Sequence, residues 1–405
     1  MRTQRSASAG TGVRPDVDAD EPRGGPDAGD VRPAVADSLG AGGRYRDPLW
    51  RVCVELTELE RELLRCWWVR RLGFVAHAGA AAMSSTQSYS RLEHSLGLLA
   101  LTAHFAPADR PARAAALLHD VGHLPLSHTF EGVAGLDHHA LGAERVAELG
   151  PLLRRYGVDP EEVLAVDAGE RPSVLSGGPG ALKLDHLDSL VRSGRAHGRT
   201  AQPPPYTLDR VRIADGRVST DADTGGYLAG LVADENRWLC SHTNAVPNGV
   251  VRHLAAVLLR DATERRRAEL AAMTDDEFWA LLLSEPATAE HTRLLRRDPA
   301  AWRVTDIAPG SGPAEESVGA GCFTYEKKRL YLDMPLVDGR PLAPDHPAFG
   351  HLPALPWRCR IEAPAGIEAP ARTEAPAPRE CGGGSACCEV PGPAGPRAAR
   401  PWSTP

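Results

Sequence analysis

Between Arg91 and Arg192 the chain gathers His94, the adjacent pair His119–Asp120, His123, His128, His138, His139, Asp185 and Asp188, a density of cation-binding and proton-moving groups found in no other stretch. Neutral imidazoles mixed with carboxylates suit a divalent cation used as a Lewis acid. A His/Asp set without thiolates favours Mn, Fe, Co, Ni, Zn or Mg over a structural cysteine site, and the stretch holds no cysteine.

The elements around these residues must bring them to one point. His119 and Asp120 close the apolar run 114–118 and are followed by Gly122, His123 and Pro125. Side chains one apart on a helix diverge by about 100°. Both members of the pair reach one ion only if it lies at the side or end of their helix, with other helices supplying His94 and Asp185. That geometry is an all-α bundle built around a metal. Apolar spacing predicts a helix over 56–72 with Leu56, Leu59, Leu63, Leu64, Trp67 and Trp68 inward. A helix from Arg91 carries His94, another spans 112–119, and Gly122 and Pro125 force a loop after the metal pair. Helix resumes over 141–156 and at Pro160, and the helix 181–192 sets Asp185, Asp188 and Arg192 on one face. Further on, strands at 207–208, 210–213 and 217–218 surround an Asp215-Gly216 turn, and a long amphipathic helix covers 248–273. Thr274 caps the next helix, through Leu283, and a short β region spans 329–336 ahead of Val337-Asp338-Gly339-Arg340.

Three segments carry a resemblance: Arg91–Gly97 (RLEHSLG), His119–Glu131 (HDVGHLPLSHTFE) and Lys183–Ser193 (KLDHLDSLVRS). They resemble RFEHSLG, HDxGHxPxSHxFE and, in part, DxDRLDYLLRD of the HD-domain metal-dependent phosphohydrolases, nearest the deoxynucleoside triphosphate triphosphohydrolase branch. The resemblance runs from about Leu56 to Arg192, with weaker echoes to about Leu342. It implies a mainly all-α fold, an HD-domain helical bundle around a metal site with a small β-containing C-terminal region. It implies His94, His119, Asp120 and Asp185 as ligands of a divalent cation of unknown identity. His123, His128 and His138 fall where the family has metal-supporting, phosphate-contacting and proton-transferring histidines. Arg91 falls where an arginine contacts substrate phosphate, and His128 and Arg192 are further candidates for that task. His138 is the candidate general acid, a role suited to an imidazole pKa near 6.5, with His123 and His128 as the other catalytic candidates.

The resemblance is incomplete where the branch reads deoxyribose: Ser189 stands in place of Tyr and Ser193 in place of Asp, while Lys183 and His186 replace an Asp and a basic residue. The implied activity is hydrolysis of a phosphate ester, a nucleotide foremost. The competing reading is a non-catalytic metal- or nucleotide-binding regulator with the same fold. Asp188 is either a carboxylate that orients a ligand or a helix salt-bridge partner, and Glu93 and Glu131 are either exposed helix charges or site groups. His138 is preferred over His139 as the one facing the site. His77, His104, His253 and His351 lie outside the motifs and are read as satisfied core histidines.

Composition sets the remaining bounds. The 405 residues are 42% hydrophobic, enough for a buried core, whereas 40 Gly and 35 Pro make nearly a fifth of the chain and imply disordered parts. The expected organisation is a disordered arm (1–44), an HD metal-binding helical domain (45–200), a helical extension with short β-hairpins (201–352) and a Pro/Gly/Ala-rich disordered tail (353–405). A net charge of −7 argues against stable nucleic-acid binding. The expected partner is a small-molecule phosphate ester or nucleotide, and a homo-oligomer is allowed. No secretory signal or membrane span is read, and the eight cysteines form no CxxC pair, which fits thiols in a reducing cytoplasm.

Overall fold

The computed structural model describes residues 42–178, 180–308, 321–342 and 346–364. After a small hairpin (β1 Arg44–Arg46, β2 Cys53–Glu55), helices α1 Glu58–Arg65 and α2 Trp67–Arg71 lead to α3 Arg91–Phe105 and α4 Arg110–Leu118. Helices α5 His138–Glu148, α6 Gly150–Arg155 and α7 Pro160–Asp167 follow, then α8 Leu184–Ala196. α3 lies at the centre, packed on α4 and α8, with α7 on the far side of α4. Nearly every residue of α3 from Leu92 to Leu101 is buried, so this helix is surrounded rather than amphipathic.

The second half comprises α9 Pro204–Arg210, α10 Ala222–Leu239, α11 His242–Leu259, α12 Glu264–Ala271, α13 Asp275–Ser284 and α14 Pro286–Arg297. Strands β3 Arg212–Ala214 and β4 Arg217–Thr220 form a hairpin, continued by β7 Leu336–Val337, parallel to β4, and β8 Arg340–Pro341. β5 Arg303–Ile307 and β6 Cys322–Lys327 flank β9 Trp357–Glu362 in an antiparallel sheet. The β3–β4 and β7–β8 turns are both Asp-Gly, at 215–216 and 338–339, with all four residues at positive φ. That is the backbone these two residue types adopt most readily in a two-residue turn.

Several sequence expectations change. The helix over 56–72 is broken at Cys66, which is extended (φ −67°, ψ 142°), and the break turns Val69 and Arg71 inward while Trp67 is left 50% exposed. Residues 207–208 are helical, because Pro204 and Pro205 start a helix with φ already set. The helix expected over 248–273 is two. α11 begins six residues earlier, at His242, and α12 restarts behind the Thr263 cap. Pro247 inside α11 has no N–H to donate, and the Thr243 carbonyl, four residues back, accepts from Ser84 Oγ at 2.9 Å. Of the β region at 329–336, only Leu336 is in a strand.

The expected domain boundaries shift as well. Residues 1–41 and 365–405 lie outside the described residues, Cys381, Cys387 and Cys388 among them. The tail cannot start at 353, since β9 is the middle strand of its sheet and buries Cys359 and Ile361. Nor does the core divide at residue 200. One apolar cluster joins α1–α4 and α8 to Leu208, Val218 and Leu228, and the other joins α11–α14 and β9 to Leu124, Leu126 and Phe130. No described helix is long and apolar enough to cross a membrane, and the described cysteines are free thiols.

Candidate metal centre

Ser90 caps α3 with a full capping box, its hydroxyl accepting from Glu93 N–H and the Glu93 carboxylate from Ser90 N–H. Glu93 is thereby a helix-starting residue. One turn on, His94 is 1% exposed, with Nδ1 2.8 Å from Asp188 Oδ2 and Nε2 3.1 Å from Asp185 Oδ1. α8 can approach this closely because residue 97 is glycine: a Cβ there would lie 2.2 Å from both Arg192 Nη2 and Asp188 Oδ1. Asp188 is fixed by Trp50 Nε1 at 2.6 Å and by the Arg192 fork at 2.9 Å to each oxygen. Burial opposes its charge, yet Arg192 and His94 hold the carboxyl at about 2. Asp188 is therefore the orienting carboxylate for His94.

His119 stands at the C-cap of α4, where the helix end frees its side chain to turn toward α3. Its Nδ1 is 3.1 Å from the Ala116 carbonyl, which can only accept, so Nδ1 carries a proton and Nε2 is the nitrogen turned to the site. His94 and His119 Nε2 atoms are 3.2 Å apart, Asp185 Oδ1 is 4.0 Å from His119 Nε2, and Asp120 Oδ1 is 3.4 Å from it. Ligand bonds of about 2.0–2.2 Å to a tetrahedral ion put donor atoms about 3.3–3.6 Å apart. His94, His119 and Asp185 so disposed form a group that could hold a divalent cation, with Asp120 beside it, shared among His119, Arg91 and His123. Burial opposes a charge on Asp120, but His119 and Arg91 keep it well below the usual carboxylate range.

A second group lies beside it. His123 Nε2 is 2.9 Å from Asp120 Oδ1, and His123, His128 and His138 bring ring nitrogens within 4.8 Å of one another. The rings of His123 and His138 stack at 4.5 Å. Burial and the charge of Arg91 hold His123 well below the ordinary histidine range, so it is neutral. Its buried Nδ1 has no hydrogen-bond partner among the described residues, which leaves that lone pair or N–H for a ligand. Glu131 Oε2 sits 3.0 Å from His138 Nδ1, and Oε1 accepts from the His138 backbone N–H. Although burial opposes it, His128 and His138 keep Glu131 ionised.

The arginines are placed differently from the expectation. Arg192 fills its fork with Asp188 and Asp47 inside the core, which removes it from phosphate contact. Arg91 is also buried, donating Nε to Ser127 Oγ at 2.9 Å with Nη1 3.2 Å from Asp120 Oδ2. The rings of His138 and His139 lie 4.0 Å apart; His138 joins the imidazole group, and His139 lines a small cleft with His119 and Asp167. Among the histidines read as core residues, His104 and His351 are exposed and His253 stacks on Phe323. His77 lies in the site, its ring 5.1 Å from that of His94 and its Nε2 3.4 Å from Ser189 Oγ. His77 and Asp167 were missed because each is a lone residue far from the motifs, and no spacing in the sequence points to them.

The charge on His94 makes cation binding pH-dependent. Burial opposes its charge, but Asp185 and Asp188 outweigh burial and push it from 6.5 to about 9. A raised folded-state pKa stabilises the metal-free protein fully below 6.5, and that contribution is lost as pH rises through about 9. A cation must displace the same proton, so its affinity rises over that window. Between about pH 6 and about pH 9, melting of EDTA-stripped protein is expected to fall relative to metal-loaded protein. Parallel curves would remove His94 from the ligand set.

With this geometry in view, comparisons with known proteins agree on the architecture. Residues 91–166 match the model of the HD domain. An uncharacterized protein of Methanocaldococcus jannaschii is 32% identical over 101 residues, a span covering 24% of this chain and 22% of that relative. A hypothetical protein from Aquifex aeolicus superposes with a TM-score of 0.58 at 16% identity, covering 79% of this chain and 96% of that one. A phosphohydrolase from Bacteroides thetaiotaomicron superposes with a TM-score of 0.51 at 16% identity, covering 66% and 80%. The chain thus has the mainly helical fold of these structures, with an HD-domain match over the segment that carries His94, His119 and Asp120.

Proposed function

We propose that the protein is a metal-dependent phosphohydrolase acting on a phosphate ester, with nucleotides the first class to test. The observation that carries this reading is the convergence of His94 and His119 Nε2 with Asp185 and Asp120, beside three further imidazoles. A divalent ion held by His94, His119, Asp120 and Asp185 supplies Lewis-acid polarisation of a phosphoryl oxygen and neutralises charge in the transition state. Asp188 fixes the His94 ring so that Nε2 faces that point. Arg91 donates to Ser127, Asp120 and the His77 carbonyl, and its remaining N–H groups make it the candidate cation for phosphoryl oxygens. His138, with Glu131 Oε2 3.0 Å from its Nδ1, is the candidate to give a proton to the leaving oxygen, with His123 and His128 beside it.

The finer triphosphohydrolase reading has less support in the side chains. Ser189 faces His77, and Ser193 donates to Glu235 of α10 at 2.6 Å, so neither takes the place of a sugar-reading Tyr or Asp. The test is a screen of purified protein with Mn, Fe, Co, Ni, Zn and Mg against nucleotides and generic phosphate esters, alongside metal analysis. Turnover of at least one ester, abolished by EDTA, is the expected result. Stoichiometric metal without turnover of any ester would favour the regulatory reading.

A further inference from the structure

The loop 121–131, which carries His123 and His128, is anchored largely outside the helices that hold the other site residues. Leu124, Leu126 and Phe130 are buried in the apolar cluster of α11–α14, and Phe130 stacks on Phe278 of α13 at 5.0 Å. Leu126 and Ser127 both have positive φ (56° and 54°), a region non-glycine residues hold only under outside constraint. The constraint is visible. Asp275, the first residue of α13, accepts from Leu126 N–H at 2.6 Å through Oδ1 and from Ala76 N–H at 2.8 Å through Oδ2. Gly79 lets the loop seat, since a Cβ there would lie 2.5 Å from both Leu126 O and Thr129 Oγ1.

Arg71 completes the anchor. It is 1% exposed and donates Nη1 to the His123 carbonyl at 2.8 Å. Its other N–H groups go to the Ala271, Ala272 and Met273 carbonyls at the end of α12, which lack partners of their own within the helix. One guanidinium thereby ties the backbone of His123 to the α12–α13 corner, and Asp275 ties the same corner to Leu126. Neither side chain reaches the candidate metal ligands.

We propose that Arg71 and Asp275 are positioning residues: through them the α12–α13 corner sets where His123 and His128 stand relative to Asp120, so the C-terminal helices complete the site. The catalytic half of this inference rests on the hydrolase reading, and the anchoring half does not.

The test uses the full metal-loaded chain with Asp275→Asn, which keeps the volume but turns an N–H₂ toward one of the two backbone N–H groups. Asp276→Asn, at the exposed neighbouring position, is the control. Arg71→Lys is the second variant, keeping the charge and losing the fork. Hydrogen exchange of the Leu126 amide is expected to quicken at least about tenfold in Asp275→Asn and to stay unchanged in Asp276→Asn. On an ester turned over by wild type, kcat is expected to fall about 10²-fold with KM and metal content held, the usual effect of displacing groups by about 1 Å. General destabilisation would instead lower the melting temperature without that split. Unchanged Leu126 exchange overturns the anchor, and faster exchange with unchanged kcat overturns the positioning role. Absent turnover by wild type, with exchange still set by Asp275, overturns the hydrolase reading and supports the anchor.

Discussion

Replacing His94 with alanine is expected to strip the protein of its divalent cation, which should otherwise be present at about one per chain. The ring supplies one of the two nitrogens that face each other at 3.2 Å, and its loss leaves His119, Asp185 and Asp120 to hold the ion. Asp188 keeps Trp50 and Arg192 as partners, and Asp185 keeps His186 at 3.6 Å. Asp188→Asn is the contrasting variant. It removes the carboxylate that orients His94 and weakens metal affinity by about 10–100-fold. It also leaves Arg192 without its main partner in the core, which costs about 3–5 kcal/mol of stability. Asp120→Ala should lose the metal as well. The measurement is elemental analysis after gel filtration, with circular dichroism to confirm folding. A folded His94→Ala or Asp120→Ala protein with wild-type metal content would remove that residue from the ligand set.

The second large effect is on rate. If His138 gives a proton to the leaving oxygen, His138→Ala should retain metal and substrate affinity and lose about 10²–10⁴ in kcat, the usual worth of a positioned acid. The loss should shrink for nitrophenyl esters, whose leaving group needs little protonation. Glu131→Gln should lose less, since Glu131 acts through His138, its carboxylate oxygen lying 3.0 Å from Nδ1. Equal impairment on good and poor leaving groups would make His138 a phosphate-binding or structural residue. Unchanged activity would move the acid to His123 or His139.

The sequence by itself determined which residues meet and what chemistry they share. The order and spacing of RLEHSLG, HDVGHLPLSHTFE and KLDHLDSLVR are local patterns, and the structure brings His94, His119 and Asp185 together with Asp120 beside His119. The cap at Thr274 and the Asp215-Gly216 turn were readable for the same reason, since each is settled by neighbours within a few residues. Whatever depended on partners far along the chain was not. Arg192 looked like a phosphate contact until Asp188 and Asp47 filled its fork, and Asp188 could not be assigned until Trp50, 138 residues away, was seen to hold it. His77 entered the site from a segment with no motif, and the break at Cys66 turned Arg71 toward an α12 that begins nearly two hundred residues later. A periodic pattern specifies which face of an element is buried, but not which charged groups from other elements will be waiting there. Only the packing of the second core against the loop 121–131 decided that.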